Sequence, residues 1–364
     1  AADIIQFVDR DLDLFEAIND GNESHLEGAN SLPPIEPLTK AWDVAYVRFS
    51  VPDLDLYERW VKDFGLRIVH RDENSIYSRG IGGDGFCHVA HKGPAKFLGF
   101  AMSMREGEDL QILSENIDGC SDVHDIPGIE GEISGGRRVS FIDPVCNLLI
   151  EAVHGREIEP LPPTRERVEY NYGDKKHYKR PVNRLQDTSG NRDMDGTNTV
   201  HPGPPDVLKI GHVVLSIPVG PHHKMMSFMM ETFGLLPSDS VYIEAPKSVE
   251  GHSINPQMFD ALQKAGPSPL YGGTFAEGEA TFACFFRCDR GEIPTDHHTF
   301  FILSLLDSRM APEGQPMNPQ LSHASFEVAN LDDVWRGHMQ LKTKAEYLDE
   351  RYEIAWGVGR HVLG

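Results

Sequence analysis

One stretch of this chain is written twice. Trp42-Asp-Val-Ala-Tyr-Val-Arg-Phe-Ser-Val-Pro52 and Leu208-Lys-Ile-Gly-His-Val-Val-Leu-Ser-Ile-Pro218 share their apolar spacing and close on Ser-Val-Pro and Ser-Ile-Pro. Both are rich in β-branched residues and read as strands. Each leads into a helix-like segment that ends in the same tripeptide, Phe64-Gly65-Leu66 and Phe233-Gly234-Leu235. A strand–helix unit that recurs in this way restricts the fold to tandem modules of one kind, α+β in class. Aligned on the closing tripeptides, Tyr46 falls where His212 stands. Only the second copy carries a metal-type ligand at that place, which points to an active site in the second half alone.

The rest of the chain divides around these two copies. Residues 1–40 form an acidic N-terminal arm, with helical spacing near Ile4, Phe7, Leu12 and Leu14 and a Pro-rich stretch at 33–37. The first module spans 41–155: a strand near 44–50, a helix near 53–64 opened by Pro52-Asp53, then strands near 67–70, 86–90, 97–103, 137–142 and 148–153. The last two strands flank an Asp143-Pro144 turn. Residues 156–206, rich in charge, Pro, Asn and Gly, read as a linker between modules. The second module spans 207–364: a strand near 208–217, a helix near 221–233, strands near 240–244, 281–286, 298–305 and 321–328, and a helix near 331–343. Met225, Met226, Met229 and Met230 lie at helical spacing and read as helix core, since Met fills irregular gaps.

Composition excludes several function classes. With 364 residues the chain is long enough for about two domains. Its 34 Lys and Arg against 56 Asp and Glu give a formal charge of −22. Such a chain repels phosphate backbones and anionic lipid, so neither nucleic acid nor a membrane surface is an expected partner. No apolar run is long enough to span a bilayer, and the first residues lack a cationic stretch followed by an apolar core. Five cysteines, an odd and sparse set, argue for reduced thiols and a cytoplasmic location.

The chemistry-bearing residues concentrate in the second module. His212 and His323 each sit inside an alternating apolar strand pattern. A neutral imidazole there can bind a metal through one nitrogen while the other donates a supporting hydrogen bond. His297 and His298 adjoin Thr299; on a strand, adjacent side chains point to opposite faces, so only one of them can face a site. His361 lies in a Gly-rich stretch, Gly357-Val-Gly-Arg-His361. Cys284 and Cys288 have no second thiol pair and read as buried strand residues. Glu327 shares a strand face with His323 but lies about 13 Å away along an extended strand, too far to bind the same ion. The chain has neither a glycine-rich phosphate loop nor a serine-hydrolase elbow nor a His-Glu-x-x-His helix.

Taken together, the paired modules, Gly211-His212-Val-Val, His297-His298-Thr299, Ser322-His323-Ala-Ser-Phe-Glu-Val and Gly359-Arg360-His361 resemble the type I extradiol catechol dioxygenases. These belong to the vicinal oxygen chelate superfamily. The resemblance covers about 41–155 and 207–364, and is weaker in the first module. It implies two tandem modules of paired βαβββ units. It also implies non-haem Fe(II), with Mn(II) as a substitute, and cleavage of a small aromatic diol by O2 next to the diol. Residue by residue, it implies that His212 and His323 are metal ligands and that His298 is the acid/base residue. His361 would line the substrate pocket and hydrogen-bond the diol. The family's third ligand is a glutamate on the last strand of the second module. That strand is missing from the sequence, so the glutamate is expected beyond Gly364. The arm and linker suggest contacts between subunits, hence a homo-oligomer. Two other readings remain open: another metal-dependent member of the superfamily, such as a glyoxalase-like lyase or isomerase, and a non-catalytic small-molecule-binding member.

Overall fold

A computed structural model describes residues 36–126, 135–164, 203–244, 279–305 and 320–343, together with Phe7–Val8, Ile354 and 357–359. In chain order the elements are β1 (Phe7–Val8), β2 (Ala41–Val51), α1 (Leu54–Phe64), β3 (Arg67–Arg71), β4 (Ser75–Arg79), β5 (His88–Lys92) and β6 (Lys96–Met104). Then come α2 (Glu108–Asn116), β7 (His124–Asp125), β8 (Arg137–Ile142) and β9 (Leu149–His154). The second half supplies β10 (Val207–Pro218), α3 (Val219–Phe233), β11 (Leu235–Glu244), β12 (Glu279–Cys288), β13 (Phe300–Leu305), β14 (Gln320–Val328) and α4 (Leu331–Thr343).

These strands make two mixed sheets. One has the order β3-β4-β5-β2-β6-β9-β8-β7 and the other β1-β11-β12-β13-β10-β14. In each, the repeated strand lies between a parallel and an antiparallel neighbour. Thus β2 runs parallel to β5 and antiparallel to β6, while β10 runs parallel to β13 and antiparallel to β14. The architecture is α+β, as the repeat predicts.

The two copies agree in their irregularities as well as their strands. Register shifts in β2 fall at Ala41/Asp43, Val44/Tyr46 and Arg48/Phe49. Those in β10 fall at Val207/Lys209, Ile210/His212 and Val214/Leu215, the same three places in the repeat. Each shift resets the two-residue alternation of a strand. As a result Ile210 and Val213, three apart, are both buried in the core, while His212 lies on the opposite face. Val44, Val47 and Tyr46 repeat the arrangement.

The helix that follows each repeated strand ends by the same device. Asp53 caps α1 by accepting from the Leu56 amide at 2.9 Å. Gly65 closes it with φ 104°, its amide and that of Leu66 returning to the carbonyls of Lys62 and Val61. Gly234, after α3, has φ 62°. Only glycine enters this left-handed region without strain, which explains why Phe-Gly-Leu recurs.

One apolar core serves both sheets. Phe100 meets Phe300 at 5.3 Å between ring centroids, Phe64 meets Phe326 at 5.2 Å, and Phe141 contacts Phe228 and Phe233. Met225, Met226 and Met229 are buried in it, as are Cys284 and Cys288. An ionic seam closes the edge: Lys209 Nζ donates to Asp43 Oδ2 at 2.7 Å, and Arg290 Nη2 lies 3.1 Å from the same oxygen. Positions 43 and 209 are equivalent in the repeat, so the two copies meet there with opposite charges.

Four local expectations need correction. Phe7–Val8 is a short strand paired antiparallel with Tyr242 and Ile243, not part of a helix; the rest of the arm before 36 lies outside the described residues. Main-chain pairing on a strand edge overrides the helical spacing. The strand β4 and the helix α2 were not foreseen. β4 is five residues with polar ends, Ser75-Ile-Tyr-Ser-Arg79, and α2 starts at Gly107 without a side-chain cap. The strand expected over 298–305 begins only at Phe300. Among the described residues no helix is long and apolar enough to cross a membrane.

A buried histidine gives this core a pH dependence. His88 lies among Phe49, Tyr57, Trp60 and Phe326, with Nε2 3.1 Å from Tyr57 Oη. Burial pushes its pKa down to about 3. The unfolded chain, with an ordinary imidazole near about 6.5, therefore binds more protons below that pH. The contribution of His88 is complete above pH ~6.5 and is lost progressively as pH falls towards 3, by at most about 1.4 kcal/mol per pH unit. Denaturant unfolding at pH 7, 5 and 4 should show this fall. His88→Gln should remove about one proton's worth of the slope.

Candidate metal centre

One face of the second sheet carries the histidines. In the register of β10 and β14, His212 stands opposite Ser325 and Val214 opposite His323. His212 and His323 are thus diagonal neighbours on one face. Their Nε2 atoms lie 3.3 Å apart. His212 is half-buried and His323 exposed.

His298 joins them from the segment before β13. Its ring centroid is 4.3 Å from that of His212. The segment is fixed by its backbone: the Thr299 amide donates to Phe286 O at 2.8 Å, and the Val213 amide donates to Thr299 O at 3.2 Å. Because 297–299 precede the strand, the alternation rule expected to separate His297 from His298 does not apply. The two Nδ1 atoms lie 3.1 Å apart, and Phe285 touches both rings. Phe285 is itself stacked on Phe301 at 4.2 Å and 5°. Burial lowers the His297 pKa; nearby Asp239 opposes this and Arg287 reinforces it.

The donor set suits a divalent cation. Two imidazole nitrogens each about 2.1 Å from one ion, at an angle of roughly 90–110°, lie about 3.0–3.4 Å apart. The 3.3 Å between His212 and His323 falls in that interval. Among the described residues no group of three His, Cys, Asp or Glu gathers around a common point. Glu327, set aside on distance, is held instead by Lys209 at 3.3 Å. Cys284 and Cys288 are buried in the apolar core, and burial raises both thiol pKa values. His361 lies outside the described residues.

The first sheet contains the same place, differently filled. Tyr46 occupies the position of His212. The β2–β6 register puts Arg48 opposite Gly99, as Val214 stands opposite His323, so Gly99 holds the place of His323. Parallel to β6 runs β9, which sets Glu151 opposite Ala101, the counterpart of Ser325. Among the described residues β14 has no such neighbour. The sequence already shows the first module closing on Ile150-Glu151 with no counterpart in the second; what it does not show is that cations of the first module hold this carboxylate.

Glu151 is neutralised by protein cations. Its carboxylate is only 4% exposed. Arg48 Nε and Nη2 both donate to Oε2, at 2.9 and 2.7 Å, and Arg138 Nη1 donates to Oε1 at 3.0 Å. Arg48 Nη1 also donates to His91 Nε2 at 2.6 Å. Tyr46 lies beneath the guanidiniums of Arg48 and Arg156, at 5.4 and 4.9 Å. Burial and the Glu151 charge push its phenol pKa up to about 12. Gly99 bars a side chain altogether: a Cβ there would sit 1.7 Å from the Leu149 carbonyl oxygen.

Comparison with known proteins agrees with this architecture. No protein-family model matches the sequence, and no curated protein matches it. Among solved structures, an Mn(II)-bound glyoxalase from Novosphingobium aromaticivorans is 20% identical with a TM-score of 0.52, over 90% of this chain and 76% of that one. An extradiol ring-cleaving dioxygenase from B. fuscum is 17% identical with a TM-score of 0.52, over 90% of this chain and 67% of that one. Homoprotocatechuate 2,3-dioxygenase from Brevibacterium fuscum, in complex with 3,4-dihydroxyphenylacetate, is 16% identical with a TM-score of 0.52, over 90% and 76%. The chain therefore has the vicinal oxygen chelate fold, shared by extradiol dioxygenases and a glyoxalase.

Arg48 is the test of the first sheet. Arg48→Met leaves the buried Glu151 carboxylate without its two-fold partner, although Arg138 still reaches Oε1, and should destabilise the protein by about 2–4 kcal/mol. Adding Glu151→Gln should recover much of that loss, as measured by denaturant unfolding of both variants.

Proposed function

We propose that this protein is an extradiol-type dioxygenase that cleaves a catechol-type diol with O2. The observation that carries the reading is the pair of imidazoles, His212 and His323, with Nε2 atoms 3.3 Å apart and the ring of His298 against that of His212. The extradiol enzymes among the similar structures support it by fold. In this reading His212 and His323 hold Fe(II). A carboxylate would complete the set, and the place that Glu151 takes in the first sheet, opposite the counterpart of Ser325, is the one that suits it. Two imidazoles and a carboxylate on one face leave positions open, the pattern of non-haem Fe(II) oxygenases. When bound, the metal supplies Lewis acidity for the diol and a place for O2 beside the ring.

The chain's own residues do the rest. His298 accepts a proton from a diol hydroxyl and returns one as the ring opens, the work of a positioned general acid/base. Phe285 and Phe301 form an apolar flank beside His298 that excludes water and accepts an aromatic ring. His361 is proposed to hydrogen-bond the diol from the Gly-Arg-His segment.

A second reading, a metal-dependent lyase or isomerase, is favoured by one observation: a glyoxalase with bound Mn(II) is among the similar structures. The two readings differ in the use of O2. Metal analysis and an oxygen electrode with catechol decide between them. Iron, O2 uptake and a yellow ring-opened product support the dioxygenase. Turnover of a hemithioacetal without O2 uptake overturns it.

Two substitutions divide the roles. His323→Ala should abolish iron binding. His298→Ala should keep iron and lower kcat by roughly 10²–10⁴-fold, the usual contribution of a positioned acid/base group. Loss of iron in His298→Ala contradicts its assignment.

A further inference from the structure

His297 has no role in the proposed reaction, yet it is bound to the residue that does. Its Nδ1 lies 3.1 Å from Nδ1 of His298, with the rings at 90°. A neutral imidazole carries one proton on two nitrogens. A hydrogen bond between two Nδ1 atoms therefore needs one ring protonated at Nδ1 and the other bare there. The contact does two things at once. It holds the ring of His298, and it ties the tautomer of His298 to that of His297.

The surroundings make this contact a fixed one. Phe285 packs against both rings, at 5.4 Å to His297 and 5.1 Å to His298. The Thr299 backbone is clamped between β12 and β10. The His298 ring itself packs against that of His212, at 4.3 Å between centroids.

We propose that His297 is a positioning residue: through Nδ1 it orients His298 and fixes which of its nitrogens carries the proton. This rests on the reading of His298 as the acid/base residue. Histidine-to-asparagine and histidine-to-glutamine variants separate the idea from a packing role. An Asn amide falls close to the place of imidazole Nδ1, whereas a Gln amide reaches that of Nε2.

Two measurements test it. Imidazole ¹⁵N spectra of the metal-free protein report tautomers directly. The wild type should show one hydrogen-bonded Nδ1 environment for His298; His297→Ala and His297→Gln should give averaged tautomers, and His297→Asn should restore the wild-type pattern. In turnover, His297→Ala should lower kcat roughly 10–100-fold, the scale for residues that orient a site residue. KM and iron content should hold, and His297→Asn should recover most of the loss. His297→Ala combined with His298→Ala should be no slower than His298→Ala alone, because residues acting as a unit are not additive.

Unchanged spectra in His297→Ala, or equal behaviour of Asn and Gln, overturns the proposal. So does a double variant slower than His298→Ala. A wild type that consumes no O2 with catechol sinks the dioxygenase reading instead, and the spectra still decide the role of His297.

Discussion

The bulge between Ile210 and His212 is the constraint on which the site depends. A strand alternates faces, and its core here demands Ile210 and Val213, which strict alternation would place on opposite sides. The extra residue absorbs the conflict and turns His212 to the opposite face. Its neighbour β14 then brings His323 alongside. Without the bulge, either the core loses a buried side chain or the imidazole enters the core. The same device in β2 turns Tyr46 away from the face of Val44 and Val47 and into a second buried cluster with Phe86, so the irregularity belongs to the scaffold and the chemistry is added to it.

Two solutions to one electrostatic problem result. A sheet face partly shielded from water cannot keep a bare charge. The first sheet keeps a carboxylate and surrounds it with guanidiniums. The second sets imidazoles, His212 and His323, at the corresponding place. Arg48 and Val214 mark the difference, since they occupy one position in the repeat. A permanent cation is built into one copy, and an apolar side chain leaves room in the other.

Much of this was legible in the chain. Phe64-Gly65-Leu66 and Phe233-Gly234-Leu235 announced the duplication because a left-handed helix terminus demands glycine in both copies. His212 stood out because Tyr46 gave it an internal reference. Other features were not legible. A bulge leaves no compositional mark in Ile-Gly-His-Val, since it is a property of pairing with β14. β4 and α2 are short, one polar at its ends and the other without a side-chain cap. The pairing of His297 with His298 depends on residues 297–299 lying outside the strand, which hydrophobic spacing alone does not reveal. Glu151 could be read as the close of the first module, but its pairing with Arg48 could not, because that depends on strand neighbours distant in sequence.

The close approach of the Leu149 carbonyl to Gly99 has an evolutionary consequence. A mutation that placed histidine at position 99 would meet backbone, not a side chain that could step aside. Placing an imidazole there would require β9 to move away from β6, and with it the carboxylate that its strand presents. A histidine pair of the kind seen in the second half is therefore out of reach of side-chain exchange alone in the first, because the obstacle there is main chain.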